Sequence, residues 1–130
     1  MDREDIWHSM SNLYLDDEID NIDLLLVAEE LAKTDLTSQE MDEIFYEEVH
    51  PVLCWNFTVP AGVWSSFDKE HLTKLIYEYK RKQNSMSLLN RWQEEYPQKQ
   101  IDRLKGLVKI DWEKTKFLIE FIRDKRIIKK

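Results

Sequence analysis

The sequence predicts an all-α fold, one compact domain of about six to seven helices over residues 1–130. Three observations carry this. The 130 residues include only two glycines, Gly62 and Gly106. No stretch alternates Val, Ile or Thr with polar residues in the way a half-buried strand would. Apolar residues instead recur at three- and four-residue intervals along most of the chain. With 42% hydrophobic residues and five each of Trp, Tyr and Phe, one core can be filled, burying about two-thirds of the unfolded chain's surface. That composition excludes disordered, linker-like and collagen-like classes.

The elements follow in order. Asp2 is placed to cap a first helix with the apolar stripe Ile6, Trp7, Met10, Leu13 and Tyr14. The polar run from Asp16 to Asn21 ends it and leads into a second helix presenting Leu24, Leu25, Ala28, Leu31 and Ala32. Thr37 and Glu40 form a capping box, with Leu36 stapled onto Met41, and start a third helix with Met41, Ile44, Phe45 and Val49 inward. Pro51 lacks an amide proton, so a kink or restart is expected there. The aromatic stretch Trp55, Phe57, Trp64 and Phe67 surrounds Gly62, which is expected to allow a tight turn that folds these rings over the core. Asp68 caps a fourth helix running to about Gln83, with Leu72, Leu75, Ile76 and Tyr79 inward. A further helix is expected from Ser87 to Tyr96, ended by Pro97, and another around Ile101, Leu104, Leu107 and Val108. The last is capped by Asp111, buries Trp112, Thr115, Leu118, Ile119 and Ile122, and frays in a basic tail from Lys125.

Charge is distributed unevenly. The net charge of -7 hides an acidic half and a basic half. Residues 1–72 hold 18 acids against 3 Lys/Arg, a balance of -15, and residues 73–130 hold 8 against 16, a balance of +8. Two acidic clusters stand out: Asp16, Asp17, Glu18, Asp20 and Asp23 at the junction of the first two helices, and Glu40, Asp42, Glu43, Glu47 and Glu48 on the polar face of the third. Glu43 and Glu47 are four residues apart, so they stack on one side of a helix and repel. Either the two halves neutralise each other within the fold, or the acids remain bare for a cationic partner.

Little else suggests chemistry. Two isolated glycines cannot build a phosphate-binding loop, and no zinc-binding, thiol-redox or nucleophile-elbow motif occurs. The run Asp16, Glu18, Asp20 fails as a calcium loop because Asn21 stands where a glycine is needed and Val27 where a glutamate is needed. His8, His50 and His71 each follow an acid by three residues, but the further glutamates of a di-iron site are missing. Cys54 follows His50 by four residues, yet Val52, Leu53, Trp55 and Phe57 around it predict burial. No catalytic residue, metal site or cofactor is therefore expected. A single cysteine excludes an internal disulfide and favours a reducing compartment. The acidic start lacks the apolar run of a signal peptide, and no stretch approaches the roughly 18 apolar residues of a membrane span, so a cytoplasmic protein is expected. The basic residues Lys80, Arg81, Lys82, Arg91, Lys99, Arg103, Lys105, Lys109, Lys114 and Lys116 offer a nucleic-acid or regulatory surface as the alternative. The net negative charge and the lack of a groove-reading helix weigh against it.

One combination of residues is more specific. Trp7, Met10, Ser11, Leu13, Tyr14, Leu15 and Asp16, then Glu47, Val49, Pro51, Val52 and Leu53, then Asn56, Phe57, Ala61, Gly62, Trp64, Phe67 and Asp68 occur in that order. This resembles a family of small bacterial helical domains without an assigned activity, over about residues 5–80, with the basic part beyond as an extension. In size and charge the chain is also similar to immunity proteins of bacterial toxin–immunity systems, including contact-dependent inhibition. That second resemblance implies a cognate protein toxin as partner, with a basic nuclease domain the best fit to an acidic surface. It makes Asp16, Asp17, Glu18, Asp20, Glu43, Glu47 and Glu48 the expected contacts.

Overall fold

The computed structural model describes the chain except residues 17–18, 59–61, 64–65, 86–97 and 129–130. Every regular element among the described residues is helical, and none is long and apolar enough to cross a membrane. The first helix, α1 (Arg3–Ser11), opens on a capping box between Asp2 and Asp5 and tightens into a 3-10 turn at Asn12–Tyr14. Its predicted stripe, Ile6, Trp7, Met10, Leu13 and Tyr14, is fully inward. α2 (Asn21–Ala32) starts with a second reciprocal box, Asp20 with Asp23. Leu25, expected in the core, is instead 37% exposed, because Leu24, Val27, Ala28 and Leu31 define the inward face.

The chain from Ser38 to Phe57 stays helical without a break, changing its winding three times. α3 (Ser38–Glu43) begins at the Thr37–Glu40 capping box. A π-helical turn, Ile44–Val49, follows, then α4 (His50–Leu53) and a 3-10 turn, Cys54–Phe57. The expected kink at Pro51 is therefore absorbed as a wider turn just before it. An α-helical proline would press its ring on the carbonyl four residues back and leave that carbonyl without a donor. Here the His50 amide reaches five residues back, to Phe45 O, and Pro51 sits in the first turn of α4, where no amide donor is needed.

α5 (Lys69–Ser85) is capped by Asp68, which accepts from the His71 amide at 3.2 Å. Leu72, Ile76 and Tyr79 are buried on it as predicted, with Leu75 at the margin. The helix expected at Ser87–Tyr96 lies outside the described residues. α6 (Gln98–Leu104) buries Ile101 and Leu104, but Leu107, in the 3-10 turn Lys105–Leu107, is 60% exposed. The change of winding after Leu104 breaks the spacing that would have kept it inward. α7 (Lys109–Ile128) starts two residues before Asp111, so Asp111 lies in the first turn and is not the cap, and the helix continues through Lys125 instead of fraying there.

One hydrophobic cluster draws on every α-helix described, from Ile6 to Ile119, and α7 makes its most extensive contact with α2. At its centre Phe45 and Trp112 stack with ring centroids 4.2 Å apart. Three rings of the aromatic segment, Trp55, Phe57 and Phe67, pack against this core half-buried, and Trp64 lies outside the described residues. Gly62 is required there for a different reason from the one expected. Its backbone is not left-handed. A side chain would instead meet Asn56 O at 2.7 Å. Asn56 anchors the turn, donating to Tyr14 O and Val63 O and accepting from the Val63 amide.

Candidate functional site

The five described acids of the expected surface divide into two kinds. Asp16, Asp20, Glu43 and Glu47 are exposed, and Asp17 and Glu18 lie outside the described residues. Asp16 accepts from the Gly62 amide at 3.2 Å, and its own amide donates to Val63 O. Asp20 caps α2 through the Asp23 amide at 2.9 Å. Glu43 accepts from Gln39 Nε2 at 3.4 Å. None of the four forms an ion pair among the described residues. Each therefore presents its charge to solvent, and 43 and 47 do so from the same side of one helical stretch.

Glu48 is different. Its side chain is only 12% exposed and receives the Arg3 guanidinium at 2.9 and 2.5 Å, the Trp7 indole at 2.8 Å and Lys80 Nζ at 3.3 Å. Burial alone would raise its carboxyl. The Arg3 and Trp7 hydrogen bonds, with the charges of Arg3 and Lys80, outweigh that and hold it below the usual range. Glu48 thus joins α1, the π turn and α5.

Several basic side chains are engaged in the same way. Lys116 bridges Asp42 at 2.8 Å and Glu113 at 3.2 Å, and the Trp112 indole also donates to Asp42. Lys105 pairs with Asp102. Arg123 donates to the carbonyls of Thr34 at 2.7 Å and Leu36 at 2.8 Å, filling acceptors left open beyond the end of α2. The two halves therefore neutralise each other at Glu48 and Asp42 and leave the outer acids bare. Arg91 lies outside the described residues.

A buried network that the sequence did not signal sits between the 3-10 turn after α1, α4 and α6. His50 is fully buried, with Nε2 2.7 Å from Ile101 O and Nδ1 2.6 Å from the Tyr14 hydroxyl. A carbonyl only accepts, so Nε2 carries the proton and Nδ1 accepts from Tyr14. Burial pulls the imidazole below its ordinary value, against the opposing effect of the Ile101 hydrogen bond. Burial likewise drives the Tyr14 hydroxyl well above its own. Cys54, completely buried beside them, has its thiol pushed up to about 12 by desolvation and is protonated at neutral pH. Both ring nitrogens of His50 are thus satisfied within the protein. His8 similarly pairs with Phe67 O at 2.9 Å. Among the described residues no three His, Cys, Asp or Glu side chains converge as metal ligands would.

A family model described as a domain of unknown function, DUF7079, matches residues 1–117. The chain belongs to that family. The match reaches well past the 5–80 region that carried the resemblance, so α5, α6 and the first half of α7 are part of the family domain and not an appendage to it. No curated protein and no solved structure matches the chain significantly.

Proposed function

We propose that this DUF7079-family protein is an immunity protein, which binds and neutralises a cognate bacterial toxin by covering a basic active site with its acidic surface. One observation carries the reading. Asp16, Asp20, Glu43 and Glu47 stay exposed without a cationic partner among the described residues, although the chain holds 19 Lys and Arg. Exposed like charges on one helical side raise the free energy of the isolated protein slightly, and a cationic partner relieves this on binding. A nuclease domain has such a surface, because it must itself attract phosphates. Asp17 and Glu18 extend the first cluster, and Glu48 contributes by holding the helix that presents 43 and 47. The protein acts in the cytoplasm of the producing cell, without a cofactor.

The test is co-expression with the toxin domain encoded beside this gene, followed by measurement of the purified pair. Growth rescue and a complex whose association slows as salt rises are the expected results. Asp16→Lys with Asp20→Lys, and separately Glu43→Lys with Glu47→Lys, should each weaken the complex by more than about tenfold, that is, by at least about 1.4 kcal/mol. Unchanged affinity in both double variants would sink the surface assignment, and a neighbouring gene of metabolic type would sink the immunity reading.

A further inference from the structure

We propose that this protein self-associates as a parallel dimer through the outward face of α7. Ile110, Phe117 and Phe121 on that helix are 68%, 69% and 50% exposed, while Trp112, Thr115 and Ile119 are completely buried. At about 100° per residue the three exposed side chains form one row about 40° wide, opposite the buried row. Single exposed apolar residues are ordinary on a protein surface, but two phenylalanines and an isoleucine aligned along three turns form a patch.

The charges beside this row identify what covers it. Glu113, Glu120 and Asp124 follow one edge, with Lys109 farther round the helix behind them, and Lys114 and Lys125 follow the other, with Asp111 farther round behind those. Lys125 Nζ lies 4.9 Å from the Phe121 ring centre, which places it against the row. Glu113 already pairs with Lys116 on its own helix, whereas Lys114, Glu120 and Asp124 form no ion pair among the described residues. A twofold axis parallel to α7 lays each edge along the opposite edge of a second copy. It sets Glu113 at the height of Lys114 of the partner subunit and Asp124 at the height of Lys125 of the partner subunit, with Glu120 about 7.5 Å along the axis from Lys125 of the partner subunit, within reach of its long side chain. An antiparallel pair would set acid against acid. Among the described residues α7 packs chiefly on α2, through the buried side of the helix that carries Trp112, Thr115 and Ile119, so those parts of the two copies fall on opposite sides of the paired helices. A lipid surface is disfavoured by the acidic edge. The row is smaller than the roughly 800 Å² per partner of a standard interface, so the dimer should form only in the micromolar range or above.

Sedimentation velocity of the purified protein from about 5 to 500 μM should show a monomer–dimer equilibrium in this range. Phe117→Asp, at an exposed position, should keep the circular dichroism spectrum and lower the association constant more than tenfold. Mild oxidation of Ile110→Cys should cross-link the chain to itself, because a parallel pair sets position 110 beside its twin. The buried Cys54 thiol does not compete. The proposal is overturned by a protein that stays monomeric throughout, or by a dimer that Phe117→Asp leaves intact. Cross-links that form only between Ile110→Cys and Phe121→Cys chains would mean an antiparallel pair and overturn it too. Flotation of a monomeric protein with phosphatidylserine vesicles would assign the row to lipid instead.

Discussion

Glu47 and Glu48 are neighbours in the chain with opposite fates, and they represent the two faces of the helical stretch from Ser38 to Phe57. On the inner face Glu48 is held by Arg3, Trp7 and Lys80, and two residues later His50 is locked between Tyr14 and Ile101. On the outer face Glu43 and Glu47 meet solvent. The same side-chain chemistry thus stabilises the fold at one position and remains available for binding at the next. The difference comes from the local supply of donors: α1 and α5 bring an indole, a guanidinium and an ammonium to the inner face, and no described cation pairs with the outer one.

The comparison can be broken most severely at His50. His50→Ala leaves the Tyr14 hydroxyl and the Ile101 carbonyl buried without partners and opens a cavity, and should cost about 3 kcal/mol of stability in urea unfolding. Glu48→Ala should cost about 2 kcal/mol, with the charge-neutral Glu48→Gln losing less because an amide oxygen can still accept from Trp7. A loss as small as that of an outer-face substitution would refute the division.

Titration separates the same groups. His50 has a lowered pKa in the folded state, so its contribution is fully present above the unfolded value near 6.5 and is lost as pH falls through the folded value. Glu48 is also lowered, so its contribution is present above the unfolded value near 4.5 and disappears as pH falls below that. Stability measured against pH should therefore be flat at neutral pH, decline first below about 6.5 and again below about 4.5. His50→Gln should remove the first decline and keep the second. The smallest effect is expected on the outer face. Glu43→Lys with Glu47→Lys should change stability by no more than about 0.5 kcal/mol, since no intramolecular ion pair is lost and a repulsion is relieved.

Much of the fold was legible in the sequence because it is encoded locally. A cap acts within three residues, and the capping box at Thr37 and the caps at Asp2 and Asp68 stand where the sequence put them, the first cap widened into a reciprocal box with Asp5. The stripe from Ile6 to Tyr14 is fully inward for the same reason, since helical geometry alone relates residues three and four apart. Leu25 and Leu107 were misread because spacing cannot say how wide the buried stripe is or where the winding changes. Asp111 has the residue type of a cap, but the helix starts two residues earlier, at Lys109. The candidate surface was legible only as a list of acids. Nothing local distinguishes Glu47 from Glu48. The His50 network joins residues 36 and 51 positions apart, with only the apolar neighbourhood of His50 to hint at burial.

The sequence by itself therefore determined an all-helical chain, the starts of α1, α3 and α5, most of the core, and the sorting of charge into a -15 half and a +8 half. Tertiary structure decided which of those charges meet. Lys80 reaches Glu48, Lys116 reaches Asp42, and Arg123 reaches the carbonyls beyond the end of α2, all across dozens of residues. Pairing of this kind depends on distances set by packing, because Coulomb and hydrogen-bond energies act over a few ångströms in space and carry no trace in the order of the residues.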